Sequence, residues 1–341
     1  MADGIGMHEI RRRWRRHAQL AAATAGFIAG GAALGTLGAA YYVARQVTRP
    51  ERPSLQDGYV MTPFETGADY EDVTFAPQRG DHMVEGWWLS RPETRHVIVA
   101  CTGYRGSKSM LIGISTALWR AGYNVLLFDY HGHGTGRGAP VTLGYREMQD
   151  FYGALNYVHK RVEDAQIGVI GYSMGASIAI MGSAKRQEVR AVVADSPFAS
   201  HLDVVAHNVS RVLRVSGRPI ALVADYFLPP IAGYRGRDVE PVREVAAIAP
   251  RPILVIHGTA DTTIPFEHGK QVYEAARQPK ELWIGEGAEH CGTYFLDRPG
   301  YCARVTAFFQ RALDSDVRLA EAPLSAASQQ GSGGDGAARS A

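Results

Sequence analysis

Five short runs of apolar, largely β-branched residues punctuate the chain at 97–101, 125–128, 167–170, 191–194 and 253–256. Most run straight into a polar or small residue: Asp129, Gly171, Asp195 and His257. Apolar runs without polar alternation mark strands buried on both faces of a parallel sheet. Between them, 109–121, 145–161, 174–186 and 266–277 carry apolar residues three and four positions apart, the spacing of helices with one face packed. Upstream, 70–75 and 84–89 predict two antiparallel edge strands joined by a turn near Gly80. The alternation predicts an α/β fold: a doubly wound, mostly parallel sheet with helices on both faces and right-handed crossovers. Functional sites in such sheets lie beyond the carboxyl ends of the strands.

One connection breaks the rhythm. Residues 200–249 separate two strands by far more than the usual few residues. Val205, Val209, Val212 and Leu213 stand at helical spacing there, and an aromatic and proline cluster follows at 226–230. This segment is expected to form a small helical cap, the alternative being a packed surface excursion. The chain therefore divides into a catalytic domain at 59–313, with its cap at 200–249, and flanking segments. The tail, 314–341, is rich in Ala, Ser, Gly and Gln and is expected to be disordered.

The amino terminus has a different pattern. A basic segment, 1–17, contains Arg11, Arg12, Arg13, Arg15 and Arg16, and an uncharged Ala/Gly-rich run fills 18–44. As a helix, that run is long enough to cross a hydrocarbon core of about 30 Å. It predicts a transmembrane anchor followed by a polar linker at 45–58; a cleaved signal peptide ending near Gly38-Ala39-Ala40, or a flexible tract, are the alternatives. Three arginines (Arg45, Arg49, Arg52) follow the run and five precede it, so the positive-inside rule places the amino terminus in the cytoplasm and the catalytic domain outside.

Charge changes the picture in one respect. The first 49 residues hold seven arginines against Asp3 and Glu9, a net +5 of the total +2, which leaves the remainder at −3. A mildly acidic body lacks the clustered basic surface that nucleic acid requires. Cys101, Cys291 and Cys302 have no CxxC spacing, which argues against a zinc site or a disulfide framework, although export would permit a bond between Cys291 and Cys302.

The chemistry concentrates after three strands. Gly171-Tyr172-Ser173-Met174-Gly175 matches GxSxG between a predicted strand and a predicted helix, the setting in which a serine is exposed on a tight elbow above the sheet. A serine hydroxyl needs an adjacent base to act as nucleophile at neutral pH. His290, in the loop between the apolar stretch 282–284 and the last helix, is best placed for that. His257 and His96 lie at strand ends, where packing is the expected role, and His131 and His133 sit in a glycine-rich turn without a third metal ligand. Asp261, in the loop after 253–256, is the expected acid, with Asp195 as its rival. The order Ser173, Asp261, His290 is the order of this motif class. For the developing oxyanion, the expected donors are the backbone N–H of Met174 and of Tyr104, the latter in Thr102-Gly103-Tyr104-Arg105-Gly106.

Together these residues resemble the α/β-hydrolase superfamily, in particular a bacterial esterase-like branch with an amino-terminal membrane segment. The likeness spans about 70–313 and extends to Asp129-Tyr130-His131-Gly132-His133-Gly134, Thr142-Leu143-Gly144-Tyr145 and Asp195-Ser196-Pro197-Phe198. It departs at Thr102-Gly103, where His-Gly is usual and the histidine supports the oxyanion loop. The resemblance implies a membrane-anchored serine hydrolase that cleaves small carboxylic esters through an acyl-enzyme, without cofactor or metal. The cap at 200–249, with its cluster at 226–230, is expected to wall an apolar acyl pocket of limited depth, favouring short to medium acyl groups. A thioesterase, a serine peptidase, and a non-catalytic binding protein on the same scaffold remain the alternatives.

Overall fold

The structure, a computed structural model, describes residues 19, 30–49, 61–134 and 138–314. The basic segment 1–17, most of the amino-terminal half of the uncharged run, the linker beyond Arg49 and the tail beyond Asp314 lie outside the described residues.

Each apolar run forms a strand. Strands β1 (Tyr70–Phe75), β2 (Val84–Leu89), β3 (His96–Cys101), β4 (Asn124–Phe128), β5 (Gln166–Tyr172), β6 (Val189–Asp195), β7 (Ile253–Gly258) and β8 (Lys280–Gly285) join in one sheet, ordered β1-β2-β4-β3-β5-β6-β7-β8. From β4 to β8 all pairings are parallel; β1–β2 and β2–β4 are antiparallel. Only β1 is therefore an edge at this end. The expectation of two edge strands fails for β2, because Gly86–Leu89 are buried and pair with β4 as well as β1.

Helices cover both faces. On one lie α2 (Ile112–Arg120) and α10 (Arg298–Leu313), whose Leu118, Tyr301, Val305, Phe308 and Phe309 pack with Ile98, Ile170 and Val193. On the other, Phe151 of α3 (Glu147–Arg161), Ile178 of α4 (Met174–Lys185) and Val272 of α8 (Phe266–Ala275) join Val99, Val169 and Val255. Helix α10 keeps its apolar residues at 301, 305, 308 and 309, one face of a helix, and Asp297 caps its start by accepting the Gly300 N–H at 3.0 Å. Phe309 lies over Gly168 of β5, where a side chain would collide with its ring.

The segment 200–249 folds into α5 (His201–Leu213), α6 (Gly217–Ala232) and the short α7 (Pro241–Glu244). Helices α5 and α6 pack as a pair above the carboxyl ends of the strands, with Ile220, Ala221, Ala224 and Leu228 of α6 buried. A further short helix, α9 (Thr293–Leu296), precedes α10.

Residues 30–48 form a helix, α1, that continues past Ala44, where the uncharged run ends. Its first turns are exposed, but Ala40, Ala44 and Thr48, each four residues apart, are buried. Small side chains at that spacing let α1 lie close against α5 and α6, with Val43, Ala44 and Val47 meeting Leu202, Val205, Ala221 and Leu228. Tyr41 adds an edge-on contact to Phe227 at 5.6 Å. Among the described residues, no helix is long and apolar enough to cross a membrane.

Phe309 is fully buried where α10 meets the sheet centre. Truncation to alanine should therefore cost about 3–5 kcal/mol, read as a lowered midpoint in urea unfolding. A cost below about 1 kcal/mol would mean that α10 is not an integral layer of the core.

Candidate active site

Strand β5 ends at Tyr172 and α4 begins at Met174, leaving Ser173 alone in the turn at φ 57° and ψ −119°. A non-glycine residue with positive φ is strained, and the surroundings hold it there. The Ser173 N–H donates to the Asp195 carbonyl at 2.8 Å, stitching the elbow to β6. A Cβ at Gly171 would strike the Gly175 carbonyl, and one at Gly175 would strike the carbonyls of Cys101 and Thr102. The two glycines are thus required by the tightness of the turn.

His290 reaches this serine from the loop after β8. Its Nε2 lies 2.9 Å from Ser173 Oγ, and its Nδ1 lies 2.7 Å from Asp261 Oδ2. An ionised carboxylate can only accept, so Nδ1 carries the ring proton and Nε2 is left to accept from the serine hydroxyl. Asp261 is anchored in turn. Its Oδ1 accepts the N–H groups of Thr263 and Ile264 at 2.9 and 2.8 Å. Burial alone would raise the Asp261 pKa, but bonds from His257, His290 and the Ile264 N–H outweigh it and hold the carboxyl well below its ordinary range. The buried His257, expected to serve packing alone, donates from Nε2 to the Ile264 carbonyl at 2.8 Å and lies 3.4 Å from Asp261 Oδ2.

The rival acid has another place. Asp195 is fully buried at the end of β6 and accepts from the Tyr301 hydroxyl at 2.8 Å and the Ser196 hydroxyl at 2.9 Å. Ser196 Oγ accepts the Cys291 N–H at 3.1 Å, so Asp195 braces the loop that carries His290. Burial, only partly offset by these bonds, pushes its pKa up to about 6. Sequence spacing carries no signal for this brace, since its partners are far apart along the chain. The cysteines are free: Cys291 beside His290, Cys302 on α10 and Cys101 in the core. His131 and His133 are absorbed elsewhere. The His131 N–H donates to Asp150 and its ring stacks on His82, while the His133 ring meets Tyr104 and Tyr130 edge-on.

The loop after β3 sits directly against the elbow, with Gly103 beside Ser173. The Gly106 N–H closes a turn on the Gly103 carbonyl at 3.0 Å, and the Tyr104 hydroxyl donates to the Val47 carbonyl of α1 at 2.7 Å. The phenol is thus committed to α1. Met174 opens α4, so its N–H has no acceptor within the helix. Thr102 is fully buried in place of the usual histidine, and the adjoining segment is held by Lys108, whose N–H and Nζ donate to Asp129 at 2.6 and 2.8 Å.

Two cavities meet at Ser173. The larger, about 480 Å³, is lined by Tyr104, Leu143, Met174 and Phe198, by Val205, Val209 and Val212 of α5, and by α1. The smaller, about 230 Å³, is lined by Met110, Leu111, Ile114, Tyr172, His290, Cys291, Tyr294 and Phe295. The cap walls the larger cavity as expected, but through α5: its cluster at 226–230 lines neither cavity, because the packed face of α6 runs through 220, 221, 224 and 228, and Tyr226 is exposed.

Comparison with known proteins agrees with this architecture. The family described as serine aminopeptidase, S33, matches residues 92–226, a span that includes the elbow but neither Asp261 nor His290. The fold is that of the α/β-hydrolase superfamily, and the chain is similar to its members. It is 28% identical to the protein YqkD of Bacillus subtilis over 74% of this chain and 84% of that one. Human α/β-hydrolase domain-containing protein 17B is 26% identical over 53% of this chain and 54% of its own. Among solved structures, the Pyrococcus furiosus esterase Pf2001 superposes with a TM-score of 0.63 at 27% identity, covering 78% of this chain and all of that one.

The two buried aspartates should respond unequally to amidation. Asp261→Asn should lower turnover of an activated ester by roughly 10⁴-fold, because the imidazole loses its orienting partner, whereas Asp195→Asn should cost far less. A carboxyl whose folded pKa is raised contributes stability below its unfolded pKa that is lost as pH rises through the folded value. For Asp195 that window runs from the ordinary carboxylate range to about 6. Asp195→Asn should therefore gain stability relative to the parent between pH 4 and pH 7 in urea titrations, and no change in that difference would refute the assignment.

Proposed function

We propose that this protein is a serine hydrolase that cleaves carboxylic esters through a covalent acyl-enzyme, with Ser173 as nucleophile, His290 as general base and Asp261 as its orienting acid. The observation that carries this reading is the unbroken relay from Ser173 through His290 to Asp261, at 2.9 and 2.7 Å, at the junction of two apolar-walled cavities. Ser173 Oγ attacks the ester carbonyl carbon as its proton passes to His290 Nε2. The backbone N–H groups of Tyr104 and Met174 receive the oxyanion. Collapse expels the alkoxide, which takes the proton back from Nε2. Water then enters by the same side, attacks the acyl carbon as His290 Nε2 takes one of its protons, and collapse breaks the acyl–Oγ bond, with Nε2 returning the proton to Ser173 Oγ as the acid leaves.

That proton traffic assigns the cavities. A general acid must reach the leaving oxygen, and His290 lines the smaller cavity, not the larger. The leaving alcohol accordingly occupies the 230 Å³ cavity and the acyl group the 480 Å³ one. A compact leaving-group site walled by Met110, Ile114 and Phe295 suits a small alcohol better than an extended peptide. The likeness to an esterase supports the same choice.

A fluorophosphonate should label Ser173, and Ser173→Ala should abolish labelling and lower ester turnover at least ~10³-fold. Faster cleavage of acyl thioesters or peptide amides than of matched esters would transfer the reading to those classes.

The amino-terminal segment serves as a single-pass anchor, with the catalytic domain outside the cytoplasm. Because α1 is docked from Ala39 onward, the part of the uncharged run 18–44 left for a span is 18–38, close to the roughly 20 residues that a hydrocarbon core requires. Protease added to intact spheroplasts should digest the catalytic domain, and full protection until lysis would reverse the orientation.

A further inference from the structure

The larger cavity is not closed by the sheet and cap alone. Ala39, Tyr42, Val43, Gln46 and Val47 of α1 line it, and their spacing of three and four residues sets one continuous helix face along the cavity. The adjoining face, through Ala40, Ala44 and Thr48, is the one buried on the domain. Helix α1 is also fastened to the loop beside the nucleophile. The Tyr104 hydroxyl donates to the Val47 carbonyl at 2.7 Å, and the Arg105 guanidinium donates to the carbonyls of Gln46 and Arg49 at 2.9 and 3.1 Å. These are carbonyls at the helix end, which lack partners within the helix. One element thus shapes the cavity and grips the oxyanion loop.

The lining chemistry defines what the cavity accepts. Most of its walls are aliphatic, and the amide of Asn208 is already committed, donating to the carbonyls of Val204 and Thr263 at 2.9 and 3.0 Å. Gln46 and Thr263 are the other polar side chains on the wall away from Ser173, Tyr42 and Tyr104, so a charged group would be poorly compensated there. At about 30 Å³ for a group the size of one water, 480 Å³ holds on the order of 10–16 heavy atoms. The rim is apolar as well: Tyr42, Val212 and Leu213 line the cavity and remain exposed.

We propose that α1 is a specificity-determining part of the active site, forming the wall that selects a medium-length acyl chain of about 8–12 carbons. The inference rests on the acyl-enzyme reading of Ser173. It makes the amino-terminal segment part of substrate recognition as well as of attachment, at the upper end of the short-to-medium range expected from sequence.

The test uses the full chain and a series of alkyl fluorophosphonates, from ethyl to hexadecyl, with the rate of Ser173 labelling as readout. Burial of each methylene is worth up to about fourfold. The parent should label fastest with octyl to dodecyl chains. Val43→Trp, which fills the cavity from α1, should lower the dodecyl-to-ethyl rate ratio at least about tenfold, the worth of two methylenes. Val43→Ala enlarges the same wall and should move the optimum to longer chains, so the proposal does not depend on the bulky variant folding. Leu34→Ala, on the exposed part of α1 outside the cavity, should leave the profile unchanged. Labelling of Ser173 with the same chain-length profile in the parent and both Val43 variants overturns the role of α1 alone. No labelling of Ser173 by any probe overturns the hydrolase reading and this inference with it.

Discussion

The turn from β5 into α4 is so tight that backbone meets backbone on both sides of it. Gly171 faces the Gly175 carbonyl, Gly175 faces the end of β3, and Ser173 between them is held at positive φ by its N–H bond to Asp195. Every other part of the site is placed relative to that turn. The sheet order brings β3, β5, β6 and β7 side by side, so the loops after them converge where Ser173 projects. Loosening the elbow by one side chain would separate the oxyanion loop from the serine and move α4 away from β3.

Electrostatics then divides the work between two buried carboxylates. Asp261 collects two backbone N–H groups and two imidazoles, and remains charged despite its burial. Asp195 receives only two hydroxyls and is driven toward its neutral form. The first can orient and stabilise an imidazolium, and the second braces the loop that carries His290 through Ser196. His257 belongs to the first group, as a positioning residue that shares its N–H between the Ile264 carbonyl and Asp261.

Much of this was legible in the chain. Apolar runs located the parallel strands because burial on both faces removes polar alternation, and GxSxG between a strand and a helix located the elbow. The placement of Asp261 and His290 was readable because both follow strands in an order the sheet imposes. What escaped was lateral. Nothing in Val84–Leu89 distinguishes an edge strand from one paired on both sides, and nothing in 200–249 shows that α5, not the aromatic cluster at 226–230, faces the cavity. The docking of α1 was hidden for a clearer reason. An uncharged run of Ala, Gly and Leu has the hydropathy of a membrane span, and the ladder of Ala40, Ala44 and Thr48 that docks its end is too subtle to stand out within that run.

The central claim is covalent: an acyl group must reside on Ser173 during turnover. The most direct measurement is rapid acid quench of the full chain during cleavage of a medium-chain activated ester, followed by intact-mass and peptide analysis. A population heavier by one acyl group, mapped to the peptide carrying Ser173 and absent from Ser173→Ala, is the predicted result. Turnover that proceeds at full rate with no adduct, or with the adduct on another residue, would contradict it.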